Sequence, residues 1–226
     1  MYTLHIANKN YSSWSLRPWL VLSAFQIPFN EIIHPFPENG VWDLYRTFSP
    51  SGKVPCLEDG KTVIWDSLAI VEYLAETYPQ IWPSDKSARA WARSVSAEMH
   101  SGFQTLRNTC GMSCGMRIEL LNISPALAKD IARIDELWNQ GLHDFGGPFL
   151  AGNQFSAADA FFAPVVFRAQ TYHLPLSETA KAYMQHILAL PSMREWYESA
   201  LQETWREPAH EDEILSAGKV IADLRK

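Results

Sequence analysis

The residues best suited to chemistry stand together in NYSSWSLRPW, residues 10–19. Ser12, Ser13 and Ser15 surround Trp14, and Arg17-Pro18 follows. Hydroxyls just ahead of a helix have two uses. A serine side chain can cap the first helical amides. It can also face an anion drawn to the unpaired N–H groups and partial positive charge of the helix start. Proline lacks an N–H and fits the first turn of a helix, so Pro18 places the start near Trp14 or Leu16. Ser15 is then the better N-cap, and Ser12 and Ser13 are left upstream to meet a ligand. From these ten residues alone, both uses stay open.

Three more places carry candidate chemistry. SGKVPCL sets Lys53 and Val54-Pro55 ahead of a strand, and Asp66-Ser67 opens the apolar run LAIVEYLAE. Asp66 can be a plain N-cap and Lys53 a solvated loop lysine. Ser156 and Asp159 form the S-x-x-D pattern of a capping box, a structural device in which each residue satisfies the other's amide. Cys110 and Cys114 are spaced C-x-x-x-C without the histidines that would complete a zinc set, so no metal site is expected. No cysteine stands in the serine loop, which argues against dithiol redox chemistry there.

The elements that must hold these residues differ between the two parts of the chain. Residues 1 to about 80 read β-α-β-α-β-β-α. TLHIA alternates as a strand and SLRPWLVLSAFQI follows as a helix. FNEIIHPF is a second strand ended by Pro35 and Pro37. NGVWDLYRTFSPSG holds a short helix, VPCLEDGKTVIW a hairpin turning at Asp59-Gly60, and SLAIVEYLAETY a helix. PQIWPSD, residues 79–85, reads as a linker. Everything beyond it reads as helix. Trp91, Val95, Met99 and Phe103 recur every four residues, with Leu106 continuing the face. Ser124-Pro125 starts a second long helix with the stripe Leu127, Ile131, Ile134 and Trp138. Gly146-Gly147-Pro148 breaks the chain, and Pro191 opens a last amphipathic helix. The charged tail from Arg206 receives no assignment.

Composition narrows the function classes. The chain has 226 residues, 47% of them hydrophobic, enough for one large domain or two modest ones. A net charge of −6 without a basic tract excludes nucleic acid as the expected partner. No run approaches the ~18 apolar residues of a membrane span, and MYTLHIANKN lacks a signal peptide's apolar core. Three cysteines make no disulfide framework. The expectation is a soluble cytoplasmic protein.

In their order and spacing, the serine loop, Val54-Pro55, Asp66-Ser67 and the later Ser156-Ala-Ala-Asp159 resemble a cytosolic glutathione transferase over nearly the whole chain. The loop is most similar to the zeta class, which reads Ser-Ser-Cys; Trp14 stands at the cysteine position. The resemblance implies a thioredoxin-like βαβαββα domain over residues 1–80 and an all-helical domain over 85–226 that forms the electrophile site. Glutathione is the implied co-substrate, without a metal. Ser12 is the first choice to stabilise its thiolate, Ser13 follows closely, and Tyr11 is an outside candidate. A free thiol of this type has a pKa near ~8.5, so the fraction ionised at neutral pH is small. The resemblance further implies a cis Val54-Pro55 bond that presents Val54 backbone to the cysteinyl part. Lys53 is expected on the glycyl carboxylate, and Asp66 and Ser67 on the γ-glutamyl end. The second substrate is expected between the domains, at Trp14, Met99, His100, Phe103, Arg107 and Met112, although plain core packing is the simpler account of the last five. Arg17 offers either a pocket cation or an ordinary ion pair. A homodimer is implied. Conjugation of an apolar electrophile leads. Glutathione-assisted cis–trans isomerisation of the maleylacetoacetate type and a non-catalytic binding module are the alternatives.

Overall fold

The computed structural model describes residues 1–36 and 42–226. Pro37, expected to end the second strand, lies outside the described residues. The first part of the chain runs β1 (Tyr2–Ile6), α1 (Ser13–Ala24), β2 (Phe29–Ile33), a 3-10 segment (Trp42–Thr47), β3 (Cys56–Asp59), β4 (Thr62–Trp65) and α2 (Ser67–Thr77). The sheet order is β2-β1-β3-β4. β1 pairs parallel to β2 and antiparallel to β3, and β3–β4 is an antiparallel hairpin. The hairpin turns through Gly60 at φ 59°, a left-handed conformation that glycine adopts without steric cost. This is the expected thioredoxin-like order, with a 3-10 segment in place of the second helix.

Helix α1 starts earlier than Pro18 requires. The Asn8 carbonyl accepts from the amides of Tyr11 (3.2 Å) and Ser12 (2.9 Å), and Leu16 N donates to the Ser12 carbonyl at 3.2 Å. The first turn therefore closes ahead of the proline. Ser12 occupies the N-cap position but makes no side-chain cap. Ser15 is inside the helix, so it is not the N-cap expected from sequence. Pro18 sits more than a turn in, where its missing N–H leaves the Trp14 carbonyl without a helical donor.

The expected linker is part of the core. Pro79–Ile81 forms a 3-10 turn, and Ile81 and Trp82 are buried. Beyond it come α3 (Lys86–Ser101), α4 (Gln104–Thr109), β5 (Met116–Leu120), α5 (Pro125–Phe145), α6 (Ala157–Tyr172), α7 (Glu178–Leu188), α8 (Pro191–Gln202), α9 (Pro208–Ser216) and β6 (Gly218–Asp223). The helical part thus carries one addition to the expectation. The tail returns as β6 and pairs antiparallel with β5.

Helix α3 ends at Gly102, and Phe103 adopts a left-handed conformation that starts α4. The four-residue repeat from Trp91 therefore stops at Met99. Ser124 caps α5 by accepting from Leu127 N at 3.2 Å. Helix α6 is buried almost all round, as expected of a central helix. It packs on both α1 and α3, so one apolar core joins the two parts. At its start Asp159 accepts from the Ser156 amide (2.9 Å), the Leu150 amide (3.0 Å) and the Tyr183 hydroxyl (3.0 Å). The expected cap is there, and it also fixes the preceding turn and α7.

Candidate active site

A cleft of about 740 Å³ opens where the β1–α1 loop meets the helical part. Tyr11, Ser12, Ser13, Trp14, Lys53 and Val54 line one side; His100, Arg107, Met112, Arg168, His210 and Glu213 line the other. The Val54–Pro55 bond is cis. The structure therefore brings together the serine pair, the Lys53-Val54 segment and part of the expected second-substrate wall. Met99 and Phe103 are absent from that wall. They are 0% and 7% exposed within the apolar core, because α3 turns Met99 inward and the break at Gly102 redirects Phe103.

The two serines differ. The Ser12 hydroxyl donates to Ser15 Oγ at 2.7 Å, and Ser15 Oγ also accepts from Ala7 N at 3.3 Å. Ser13 is the first residue of α1 and lines the cleft. Among the described residues its hydroxyl makes no hydrogen bond. The early amides of a helix have no intrahelical acceptor, so this helix start offers both a hydroxyl and N–H groups to an anion. Tyr11 is otherwise engaged. Its hydroxyl donates to Glu211 and receives Arg225 Nη1 at 3.2 Å. Burial, reinforced by the Glu211 carboxylate, pushes its phenol well up, so it offers no readily ionised group to the cleft.

The loop is held from behind by α8 and by Glu203 just after it. Glu203 is 6% exposed and accepts from the amides of Lys9 (2.6 Å) and Asn10 (3.1 Å). Asn10 Nδ2 donates to the Ala200 carbonyl at 2.7 Å, and Trp196 Nε1 to the Lys9 carbonyl at 3.0 Å. The Lys9 ammonium pairs with Glu31 at 2.8 Å over the Trp19 and Trp196 rings.

Asp66 and Ser67 stand beside this cleft rather than on its lining. Asp66 Oδ1 caps α2 by accepting from Leu68 N (2.8 Å) and Ala69 N (3.3 Å). Its Oδ2 lies 3.3 Å from His100 Nε2. Asp66 has φ 75°, a strained conformation for a residue with a side chain. The Ser67 hydroxyl is buried and lacks a partner among the described residues. A buried polar atom without a partner costs free energy, and a ligand acceptor would remove that cost.

Trp14 joins the two sides of the cleft. The guanidinium carbons of Arg17 and Arg107 lie 4.2 Å and 4.8 Å from its ring centre, and the His100 ring meets it edge-on at 5.3 Å. Arg17 is fully buried, and none of its three side-chain nitrogens has a hydrogen-bond partner among the described residues. It is neither an ion pair nor a lining residue. Burial, with Arg107 and Arg168 nearby, holds its pKa well below the usual value. Burial and Arg168 likewise bring Arg107 down to about 10. Arg168 donates Nε to the Cys110 carbonyl at 2.7 Å, while its Nη1 has no partner among the described residues. Arg107 and Arg168 therefore give the cleft wall two guanidinium groups, with Glu213 the acid near Arg168.

Phe36, Arg168, His210 and Glu213 were not identified from sequence. A usable signal existed for one of them. Glu207-Pro208 is an N-cap followed by a first-turn proline, which marks α9 and so places His210. The thiols lie elsewhere. Cys56, Cys110 and Cys114 are buried, and burial pushes Cys56 up to about 11 and Cys110 up to about 12.

The comparisons agree with this geometry. Residues 11–77 match the glutathione S-transferase N-terminal domain, and residues 122–199 match the C-terminal domain. Maleylacetoacetate isomerase of Rattus norvegicus is 31% identical over 173 residues, 73% of this chain and 76% of that protein. A zeta-class glutathione S-transferase of Euphorbia esula is 31% identical over 130 residues, 56% of this chain and 58% of that protein. The fold is similar to the crystal structure of a glutathione transferase homologue from Burkholderia gl BGR1 with bound glutathione. The TM-score is 0.67 at 21% identity, over 88% of this chain and 97% of that one. Among the described residues no helix is long and apolar enough to cross a membrane. The chain belongs to the glutathione S-transferase family, with zeta-class proteins among its relatives.

Proposed function

We propose that this chain ionises the thiol of glutathione at the start of α1 and directs the thiolate onto an electrophile held in the cleft. The observation that carries this is the Ser13 hydroxyl, without a partner among the described residues, at a helix N-terminus that opens on the cleft. One charge-assisted hydrogen bond contributes roughly 1.5–3 kcal/mol, and one pKa unit corresponds to about 1.4 kcal/mol. Ser13 can therefore supply a unit or two of thiol acidification. Ser12, already donating to Ser15, orients the loop. Lys53 meets the glycyl carboxylate and Val54 backbone the cysteinyl part. Ser67 and Asp66 hold the γ-glutamyl end, with residues 1–80 as the glutathione-binding part and 85–226 shaping the electrophile site. A homodimer rests on the family resemblance alone, and a cytoplasmic location on composition.

Retention on immobilised glutathione, followed by thiolate absorbance of the complex, tests the reading. Binding with a thiolate band that weakens in Ser13→Ala supports it. Failure to bind at millimolar glutathione refutes it.

A second reading is supported by the wall of arginines. Arg107 and Arg168 line the cleft, and Arg17 lies buried behind Trp14. Such a wall suits an electrophile that carries carboxylates better than an apolar one. Maleylacetoacetate, named in the rat relative, is an acid of that kind. Glutathione-assisted cis–trans isomerisation of an unsaturated keto acid is therefore the alternative to conjugation, at the same site.

A further inference from the structure

Helix α9 carries a histidine to the cleft that the reading above leaves without a role. Glu207 caps α9. One of its oxygens accepts from the His210 amide at 2.7 Å and from His210 Nδ1 at 2.6 Å. Burial works against the Glu207 charge, but these two bonds hold its carboxyl below the usual range. An ionised carboxylate accepts from a protonated Nδ1, and in the neutral ring this puts the lone pair on Nε2. The ring stacks on Phe36 (4.8 Å, 13°) and on Tyr11 (5.2 Å, 25°), which fixes its plane. Tyr11 directly precedes Ser12-Ser13, and His210 lines the same cleft as that pair. Among the described residues its Nε2 makes no hydrogen bond. A ring oriented by a carboxylate, with one nitrogen open to a pocket, is the arrangement of a general base. Helix α9 lies beyond residues 122–199, so the matched family domain does not supply this group.

We infer that His210 is a catalytic residue whose Nε2 takes the proton of the glutathione thiol as the thiolate forms beside Ser13. The step balances within the site. The S–H bond breaks, its electron pair stays on sulfur, and the proton moves to the imidazole. On addition to an unsaturated ketone, the C–S bond forms as the π pair shifts to the carbonyl oxygen, and the imidazolium returns the proton to the enolate carbon. On substitution, the leaving group departs with its bonding pair and the proton goes to it or to water. The groups facing His210 are Glu207 and Glu213 from α9, Tyr11 from the β1–α1 loop, Arg168 from α6 through Glu213, and Arg225 from the tail through Tyr11.

The inference rests on the proposed glutathione chemistry, and one experiment separates the two. Glutathione is titrated by calorimetry in two buffers of different ionisation enthalpy, which counts protons released, while thiolate absorbance counts thiolates formed. The unmodified chain should release fewer protons than it forms thiolates, because the imidazole keeps them. His210→Phe preserves the aromatic stack and should release a proton for every thiolate; His210→Gln serves if the phenylalanine variant does not fold. Equal proton release per thiolate in the unmodified chain and the variant overturns the role of His210 and leaves the transferase reading intact. No glutathione binding, or no thiolate, in the unmodified chain overturns both.

Discussion

Two helices in this molecule begin on a serine at the N-cap. Helix α1 follows Ser12-x-x-Ser15, and α6 follows Ser156-x-x-Asp159. At α6 the carboxylate folds back on the Ser156 amide and gathers the Leu150 amide and the Tyr183 hydroxyl, so the start is closed and buried. At α1 the residue in the matching place is a serine. Its hydroxyl accepts from Ser12 and from Ala7 N, and no acid occupies the helix end. A carboxylate there would neutralise the helix end and repel a thiolate. The difference of one side chain separates a fixture of the core from a site left open to a ligand.

Exchanging those side chains tests the contrast. Asp159→Ser should have the largest effect. It strands two buried amides and a tyrosine hydroxyl, each costing roughly 1–3 kcal/mol, so denaturant unfolding should show a loss of more than ~3 kcal/mol. Ser13→Ala comes next. Thiolate absorbance against pH should show the bound glutathione pKa rising by about one to two units, with the fold unchanged by circular dichroism; Ser12→Ala should move it less. Ser67→Ala removes a buried hydroxyl that awaits an acceptor. It should weaken glutathione binding about 10-fold, on the scale of one hydrogen bond to a charged group, with no loss of stability in the ligand-free protein.

The smallest effect concerns β1, the strand that leads into the open start. His5 Nδ1 and His34 Nε2 meet at 2.9 Å, and both rings stack on Phe48. Burial lowers both pKa values from 6.5. A histidine lowered in the folded state is held neutral there, so its contribution is intact above the unfolded value and is lost as pH falls below about 6.5. Stability of the ligand-free protein should decline through that acid range, and His34→Gln should flatten the decline.

The sequence is most legible where local chemistry decides the outcome. Ser124-Pro125, Gly146, Asp59-Gly60 and the S-x-x-D cap each specify a backbone event within a few residues, and each is in place. It is least legible where distant segments decide. Pro18 alone suggested a later helix start, but the Asn8 carbonyl, reaching the amides of Tyr11 and Ser12, moves it upstream. Met99 and Phe103 share a periodicity with Trp91 that carries no information about the break at Gly102. The pairing of β5 with β6, across nearly a hundred residues, leaves no local mark beyond apolar runs. Trp14, unexplained as a departure from the zeta loop, becomes intelligible only once two guanidinium groups from different helices are seen against its ring.

The grip of Glu203 and Ala200 on Lys9 and Asn10 bears on how this protein can be taken apart. The serine loop owes its shape to residues 190 to 194 positions further along the chain, so the thiol site is complete only once α8 and Glu203 have docked on it. For the same reason the first 80 residues are not a transplantable cassette. Fused to another helical partner, they would carry every serine and still lack the clamp that holds those serines in place.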